Sequence, residues 1–252
     1  MAADRPLVFV DLDDTLFQTA RKMPAGSPQI LATLDALGQP NGFMSPVQQD
    51  LLDWLLASAD VVPVTARSVE AYRRVRLPFS QGAICSHGGV MLDADGASDQ
   101  CWQRRMSDAL ADVQTRLPIL SEATLGIGEA LGHSLRGWVV EDDGLRHYVV
   151  TKHNARDDAA LASVLQQVQA QGLLEGMHVH SNGNNLAFLP DGLAKRLAVA
   201  EWLRRDAIQH GERPVLGFGD SISDLGFMSL CHLWATPARS QLADAVEGLL
   251  GD

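Results

Sequence analysis

Short apolar runs and longer amphipathic stretches alternate at both ends of the chain, and the middle is patterned differently. Leu7-Val8-Phe9-Val10 is an unbroken apolar run ahead of polar residues, which predicts a buried strand. The region from Phe17 to Met44 is rich in Pro, Gly and polar residues; the alternation of Ile30, Leu34 and Leu37 and the turn signal Gln39-Pro40-Asn41-Gly42 predict a loop carrying a small hairpin. Ser45-Pro46-Val47-Gln48 announces a helix, with Ser45 as N-cap, Pro46 at the first helical position and Gln48 closing a capping box; Val47, Leu51, Trp54 and Leu55 are its expected buried stripe. Val61 to Val64 reads as a second strand, ending at Thr65-Ala66-Arg67 and followed by a helix through Arg76, and Gly82 to Cys85 as a third strand ending at Ser86-His87-Gly88-Gly89. Strand, helix, strand at this spacing predicts a parallel sheet.

From about Val90 to Phe188 the style changes. Gly137 to Glu141 and Leu145 to Thr151 read as strands joined by the acidic turn Asp142-Asp143-Gly144, and Leu161, Val164, Leu165 and Val168 mark an amphipathic helix. His178-Val179-His180 and Asn185 to Phe188 flank Ser181-Asn182-Gly183-Asn184, a hairpin signal. The parallel style returns with a helix from about Leu193 to Ile208, the strand Val215 to Phe218, a short helix, a strand near Leu233-Trp234-Ala235 and a final helix. The expected architecture is therefore α/β: a discontinuous Rossmann-like core, residues 1–89 and 189–252, interrupted by an inserted α+β domain, residues 90–188.

Asp11 and Asp13 emerge where the first strand stops, the edge at which open α/β sheets bind ligands. Two carboxylates that close can divide their labour, one ionised as nucleophile or metal ligand and the other acting as an acid. Aspartate after a strand is also common turn chemistry, so the rest of the chain decides between these readings. Further along, Thr65 ends a strand, Lys195 starts a helix on one stripe with Val199 and Trp202, and Gly219-Asp220-Ser221-Ile222-Ser223-Asp224 follows the strand Val215 to Phe218.

These four segments, in this order, resemble the motifs of the haloacid dehalogenase superfamily of phosphohydrolases, in the branch with a large α+β cap (the Cof-type and sucrose-phosphatase-like group). Asp11-Leu-Asp-Asp-Thr15, Val64-Thr65-Ala-Arg67, Lys195 in Gly192-Leu-Ala-Lys-Arg, and Gly219 to Asp224 match the first to fourth motifs over nearly the whole chain. The resemblance implies catalysis by Asp11 as nucleophile and Asp13 as acid and base, with phosphate held by Thr65 and Lys195. It implies Mg²⁺ as cofactor on Asp11, the backbone carbonyl of Asp13 and Asp220, with Asp224 supporting the metal's waters. The charge requirement agrees: a phosphate dianion repels an attacking carboxylate unless positive charge stands nearby. Ala66, Ser86-His87-Gly88 and Ser223 depart from residues that relatives often carry.

Composition narrows the substrate. A formal charge of -11 argues against nucleic-acid and anionic-membrane surfaces and leaves a small soluble ligand as the expected partner; the resemblance implies that this ligand is phosphorylated, and a monomer or homodimer is the expected state. Cys85, Cys101 and Cys231, an odd and widely spaced set, read as buried free thiols; together with the absence of a signal-peptide pattern in Met1 to Pro6 they predict a cytoplasmic protein. In the inserted domain Lys152, His153, Asn154, His178, His180, Asn182, Asn184 and Asn185 suit sugar hydroxyls, so a sugar phosphate is the expected substrate. Arg67 is placed either to contact phosphate or to pair with a core acid. His178 and His180 share a strand face, yet no nearby Cys or third His completes a zinc site. A sugar phosphomutase, or a sugar-phosphate sensor without catalysis, are the alternatives.

Overall fold

The computed structural model describes residues 5–250; residues 1–4, part of the segment read above for a signal peptide, lie outside the described residues. The chain forms two compact units, Met1–Gln100 with Lys195–Asp252, and Cys101–Ala194. The first part of the chain gives β1 (Leu7–Val10), β2 (Gln18–Thr19), β3 (Ile30–Leu34), β4 (Pro40–Met44), α1 (Pro46–Ser58), β5 (Asp60–Pro63), α2 (Val69–Tyr72), β6 (Ala83–Cys85) and β7 (Val90–Leu92). The middle gives α3 (Gln100–Ala109), α4 (Arg116–Ala130), β8 (Leu135–Asp142), β9 (Leu145–His153), α5 (Asp158–Ala170), β10 (Met177–Ser181) and β11 (Leu186–Pro190). The last part gives α6 (Lys195–His210), β12 (Val215–Phe218), α7 (Leu225–Met228), β13 (Leu233–Ala235) and α8 (Gln241–Leu250). The boundaries between units thus fall at 101 and 194 rather than at 90 and 188, because β7 pairs with β6 and stays with the first unit.

In the first unit β13, β12, β1 and β5 form one sheet in that order, every pair parallel. β1 has neighbours on both sides and all four of its residues are buried, which is why its sequence is an unbroken apolar run rather than an alternating one. A parallel bridge from Val64 to Ile84 leads on to the β6–β7 hairpin. α1 carries the expected capping box between Ser45 and Gln48. Its buried stripe differs from expectation in part: Leu55 is buried as expected, but Val47 and Trp54 are 77% and 61% exposed, and Leu52 joins Leu55 in facing the core with Val8, Val10 and Val61. Both stripes satisfy helical spacing. A one-residue link, Ala59, joins α1 to β5, and Ala59 is itself packed in that core, so the helix must present Leu52 and Leu55 to the sheet.

Two other local expectations change for stated reasons. The helix after Arg67 stops at Tyr72, because the chain beyond it joins β3: Leu34 N–H donates to the Arg74 carbonyl and Arg76 N–H to the Ala32 carbonyl. The hairpin before α1 belongs to a three-stranded sheet, β2-β4-β3, and its turn is Asp35 to Gln39, not Gln39 to Gly42. Asp35 Oδ1 accepts from the N–H groups of Leu37 and Gln39, each at 2.8 Å, and Gly38 takes φ 77°, leaving Pro40 at the start of β4.

In the second unit β10, β11, β9 and β8 form an antiparallel sheet. Asp143 (φ 52°) and Gly144 (φ 75°) make the two-residue turn between β8 and β9. Leu117 and Leu120 of α4 and Leu161, Val164 and Val168 of α5 pack with Val149 and Phe188 of the sheet. The helices α3 and α4 have no counterpart among the sequence expectations. At Val140–Glu141 the register slips, so that Tyr148 and Arg146 pair while His147 bulges between them; His147 is 1% exposed and neither ring nitrogen has a hydrogen-bond partner. No helix among the described residues is long and apolar enough to cross a membrane. Of the three thiols, Cys85 is buried as expected, Cys231 is half-buried and Cys101 is exposed.

Candidate active site

The carboxyl ends of β1 and β12 lie side by side, with Asp11 N–H donating to the Phe218 carbonyl at 2.8 Å, and this brings Asp11 next to the segment after β12. Carboxylate oxygens of Asp11, Asp220 and Asp224 lie within 4.8 Å of one another, and all three residues are buried. Gly219 permits the approach: a Cβ there would stand 2.5 Å from the Asp224 Cβ and 2.8 Å from Met228 Sδ. Lys195, the first residue of α6, is 6% exposed, and its Nζ donates to Asp11 Oδ1 at 2.6 Å and to Asp224 Oδ1 at 2.7 Å.

Burial is the largest influence on each of these groups. It pushes the Asp11 carboxyl well up, helped by Asp224 and Asp220 and opposed by Lys195. It also raises Asp220, to about 7, with Asp224 and Asp14 adding to the effect. Burial acts upward on Asp224 too, but there the Lys195 ammonium and the Ser221 hydroxyl and N–H outweigh it and hold the carboxyl down. For Lys195 burial opposes the ammonium, and the two carboxylates overcome it, so its pKa is raised. With all three ionised, the carboxylates against one ammonium leave two negative charges over, the deficit a divalent cation fills, and an all-oxygen donor set suits a hard cation such as Mg²⁺. The donors are not equivalent. Asp224 Oδ1 is engaged by Lys195 and Oδ2 by the N–H and hydroxyl of Ser221, whereas Asp11 Oδ2 meets a long contact from the Thr15 hydroxyl at 3.4 Å.

Asp13 is half-exposed and is gripped by Arg67 through both oxygens, Nε to Oδ2 and Nη2 to Oδ1, each at 2.7 Å. Of the two placements open to Arg67, the structure shows the pairing with a core acid. The Arg67 guanidinium also lies over the Phe17 ring, 5.2 Å from its centroid. Thr65 is fully buried; its N–H donates to the Ile84 carbonyl, so the hydroxyl, not the N–H, is the group it can offer a ligand. The same hydroxyl oxygen accepts from Arg67 N–H at 3.1 Å.

Sequence reasoning missed Thr15 and Ser221, which hold Asp11 and Asp224. Their spacing was the available signal, since each stands three or four residues from its carboxylate within a motif already singled out. In the second unit the structure gathers the end of β9 and the β10–β11 turn: Asn184 bonds the His153 backbone twice, accepting from its N–H at 2.8 Å and donating to its carbonyl at 2.9 Å. Asn182 N–H closes the turn onto the Asn185 carbonyl. Lys152 and His180 lie half-buried on β9 and β10, and Asn154 donates to the Ser134 hydroxyl. His178 stands 3.8 Å from Asp191 rather than in a metal cluster with His180.

No family model matches the sequence, and no curated protein matches it. Solved structures do match the fold. Sucrose-phosphatase from Synechocystis sp., in complex with sucrose and phosphate, aligns with a TM-score of 0.54 and 14% identity over 98% of this chain and 97% of that one. The C-terminal domain of trehalose-6-phosphate phosphatase from C. albicans aligns with a TM-score of 0.54 and 14% identity over 99% of this chain and 78% of that one. A haloacid dehalogenase-like hydrolase from Bacteroides thetaiotaomicron aligns with a TM-score of 0.52 and 13% identity over 98% and 100%. With its parallel core sheet and its additional antiparallel sheets, this chain has the fold of the haloacid dehalogenase-like hydrolases.

Proposed function

We propose that the protein is a Mg²⁺-dependent phosphatase of a small phosphorylated metabolite, of the sugar-phosphate class, and that it works through an aspartyl-phosphate on Asp11. The observation that carries this reading is the buried cluster of Asp11, Lys195, Asp220 and Asp224 at the carboxyl ends of β1 and β12, three carboxyl groups around one ammonium. The sugar-phosphate class is supported by two structural neighbours, a sucrose-phosphatase and a trehalose-6-phosphate phosphatase.

In this mechanism Asp11, Asp220 and the backbone carbonyl of Asp13 hold the metal, and Mg²⁺ when bound supplies charge that offsets repulsion between the phosphate dianion and the attacking carboxylate. Lys195 contributes the same sign of charge from its place against Asp11. The Thr65 hydroxyl donates to a phosphoryl oxygen. An Asp11 oxygen attacks phosphorus as the bond to the leaving oxygen breaks, and Asp13 gives that oxygen a proton. A water then attacks the aspartyl-phosphate, Asp13 takes its proton, and inorganic phosphate leaves with Asp11 restored. Arg67 holds both Asp13 oxygens in the structure and so fixes the carboxyl's position, and one of the two must leave the guanidinium for Asp13 to carry a proton to the leaving oxygen or take one from water. Asp224, bound on both oxygens, keeps Lys195 in place. Lys152, His153, His180, Asn182, Asn184 and Asn185 are the proposed readers of the leaving group, His153 and Asn184 by tying the end of β9 to the turn that carries Asn182 and Asn185.

The test is phosphate release from a panel of sugar phosphates with Mg²⁺, beside Asp11→Asn protein and an EDTA control. Release that vanishes in both controls is the expected result. A sugar phosphate isomerised without free phosphate would replace the hydrolase with a mutase, and binding without turnover would leave a sensor.

A further inference from the structure

A pocket of about 300 Å³ opens in the first unit, away from the candidate active site. Its lining includes Leu7 and Asp60, paired residues at the starts of β1 and β5, whereas Asp11 follows the end of β1. At about 3.3 Å per residue the two sites are roughly 13 Å apart along one strand. Apolar lining comes from Leu7, Val62, Met91, Leu92 and Trp202. The polar part holds the carboxylates of Asp60, Asp93, Asp99 and Asp206 against the guanidinium groups of Arg205 and Arg213.

Both guanidinium groups are already engaged. Arg213 donates to Asp206 through Nε and Nη2 and to Asp60 and the Arg5 carbonyl through Nη1; Arg205 donates to Asp99 and, through Nε, to Glu201. Neither has a fork left for an anion. Asp93 has no ion pair or side-chain hydrogen bond among the described residues, and its carboxyl is raised by burial and by the neighbouring Asp99 and Asp95. The lining is thus mixed, apolar along Leu7, Val62, Met91, Leu92 and Trp202 and polar elsewhere, at the small end of the range for ligand pockets; Arg5, Arg205 and Arg213 pair with Asp60, Asp99 and Asp206, and Asp93 is the lining carboxylate left without an ion pair among the described residues.

We propose that this pocket is a second ligand site and takes a small organic cation, an amine on a short apolar chain. The ammonium meets Asp93, beside the Asp99 that Arg205 already holds, and the chain lies against Met91, Leu92 and the Trp202 ring, a face that also attracts cations. Trp202 and Arg205 stand two to three turns along α6 from Lys195, so an occupant stiffens the helix that begins with that lysine.

Calorimetric titration and thermal unfolding of the full chain with 1,4-diaminobutane and 1,5-diaminopentane test this, with inorganic phosphate and glucose as controls at matched ionic strength. The expected result is saturable diamine binding with a rise in Tm, weakened at least about tenfold in Asp93→Asn and unchanged in Asp11→Asn. Asp93 is exposed, so its substitution leaves the fold intact. Absence of saturable binding overturns the proposal, and so does binding lost in Asp11→Asn but kept in Asp93→Asn, which would place the amine at the candidate active site. The measurement involves no turnover, so it stands or falls separately from the phosphatase reading.

Discussion

Lys195 Nζ lies 2.6 Å from Asp11 Oδ1, and the two side chains are 6% and 7% exposed. A buried pair of this kind is destabilised far more by losing one member than its net worth suggests, because the remaining charge has no solvent. Lys195→Met is therefore expected to lower stability by about 3–5 kcal/mol at pH 7, with a smaller loss at pH 5, where Asp220, raised to about 7, holds a proton and less negative charge is left uncompensated. Phosphate release should fall by about 10²-fold or more. Urea unfolding at the two pH values checks the first part; an unfolding midpoint equal to wild type at both would contradict a buried pair.

Metal binding should depend on pH through Asp220. Its carboxyl titrates at about 7 in the native protein against an ordinary 3.8, so between those values the native state keeps a proton that the unfolded chain has lost. This group's contribution to stability is present below about pH 4 and declines as pH rises through 7. A cation that needs the ionised carboxylate removes the penalty, so Mg²⁺ should raise Tm more at pH 8 than at pH 5.5. Equal shifts at both pH values would show that Asp220 does not ligate.

His147 has the opposite sign. Burial holds it down to about 4 against an ordinary 6.5, so the unfolded chain binds a proton in that window before the native state does, and stability falls as pH drops from about 6.5 towards 4. The shift corresponds to about 3 kcal/mol of acid sensitivity. His147→Leu should flatten that slope while leaving stability at pH 7 within about 1 kcal/mol, because the imidazole has no partner to lose. Denaturation at pH 4.5, 5.5 and 7 in both proteins decides it.

The two apolar stripes of α1 separate cleanly by substitution. Leu52→Ala should cost about 2–5 kcal/mol, whereas Trp54→Glu should stay within about 0.5 kcal/mol. Chemical denaturation of both variants would show the reverse order if the stripe Val47–Leu51–Trp54 were the buried one.

Much of this was legible from residues alone, for identifiable reasons. β1 could be read because a strand with neighbours on both sides needs apolar residues at every position, and Asp11, Lys195 and Asp220 because each sits where an element begins or ends. The face of α1 could not, because Leu51 and Leu52 are adjacent and both continue a helical stripe; the one-residue link to β5 chooses between them. The early end of α2 was hidden because its cause, pairing of residues 74–76 with β3, is nonlocal. α4 escaped because Gly126 and Gly128 weaken its helical signal, and the space a Gly128 Cβ would take is filled by the Leu135 side chain.

The separation of 184 positions between Asp11 and Lys195 also orders events in time. β1 is made first, yet its neighbour β12 and the ammonium that Asp11 requires appear after the entire second unit has been synthesised. A nascent chain therefore carries an apolar strand with an open edge and an unpaired aspartate for most of its synthesis, while Cys101–Ala194 has the means to fold on its own. Refolding should show the same sequence: an early phase that orders the inserted unit, then a slower closure of long-range parallel pairing that creates the acidic cluster and, with it, the capacity to bind a divalent ion.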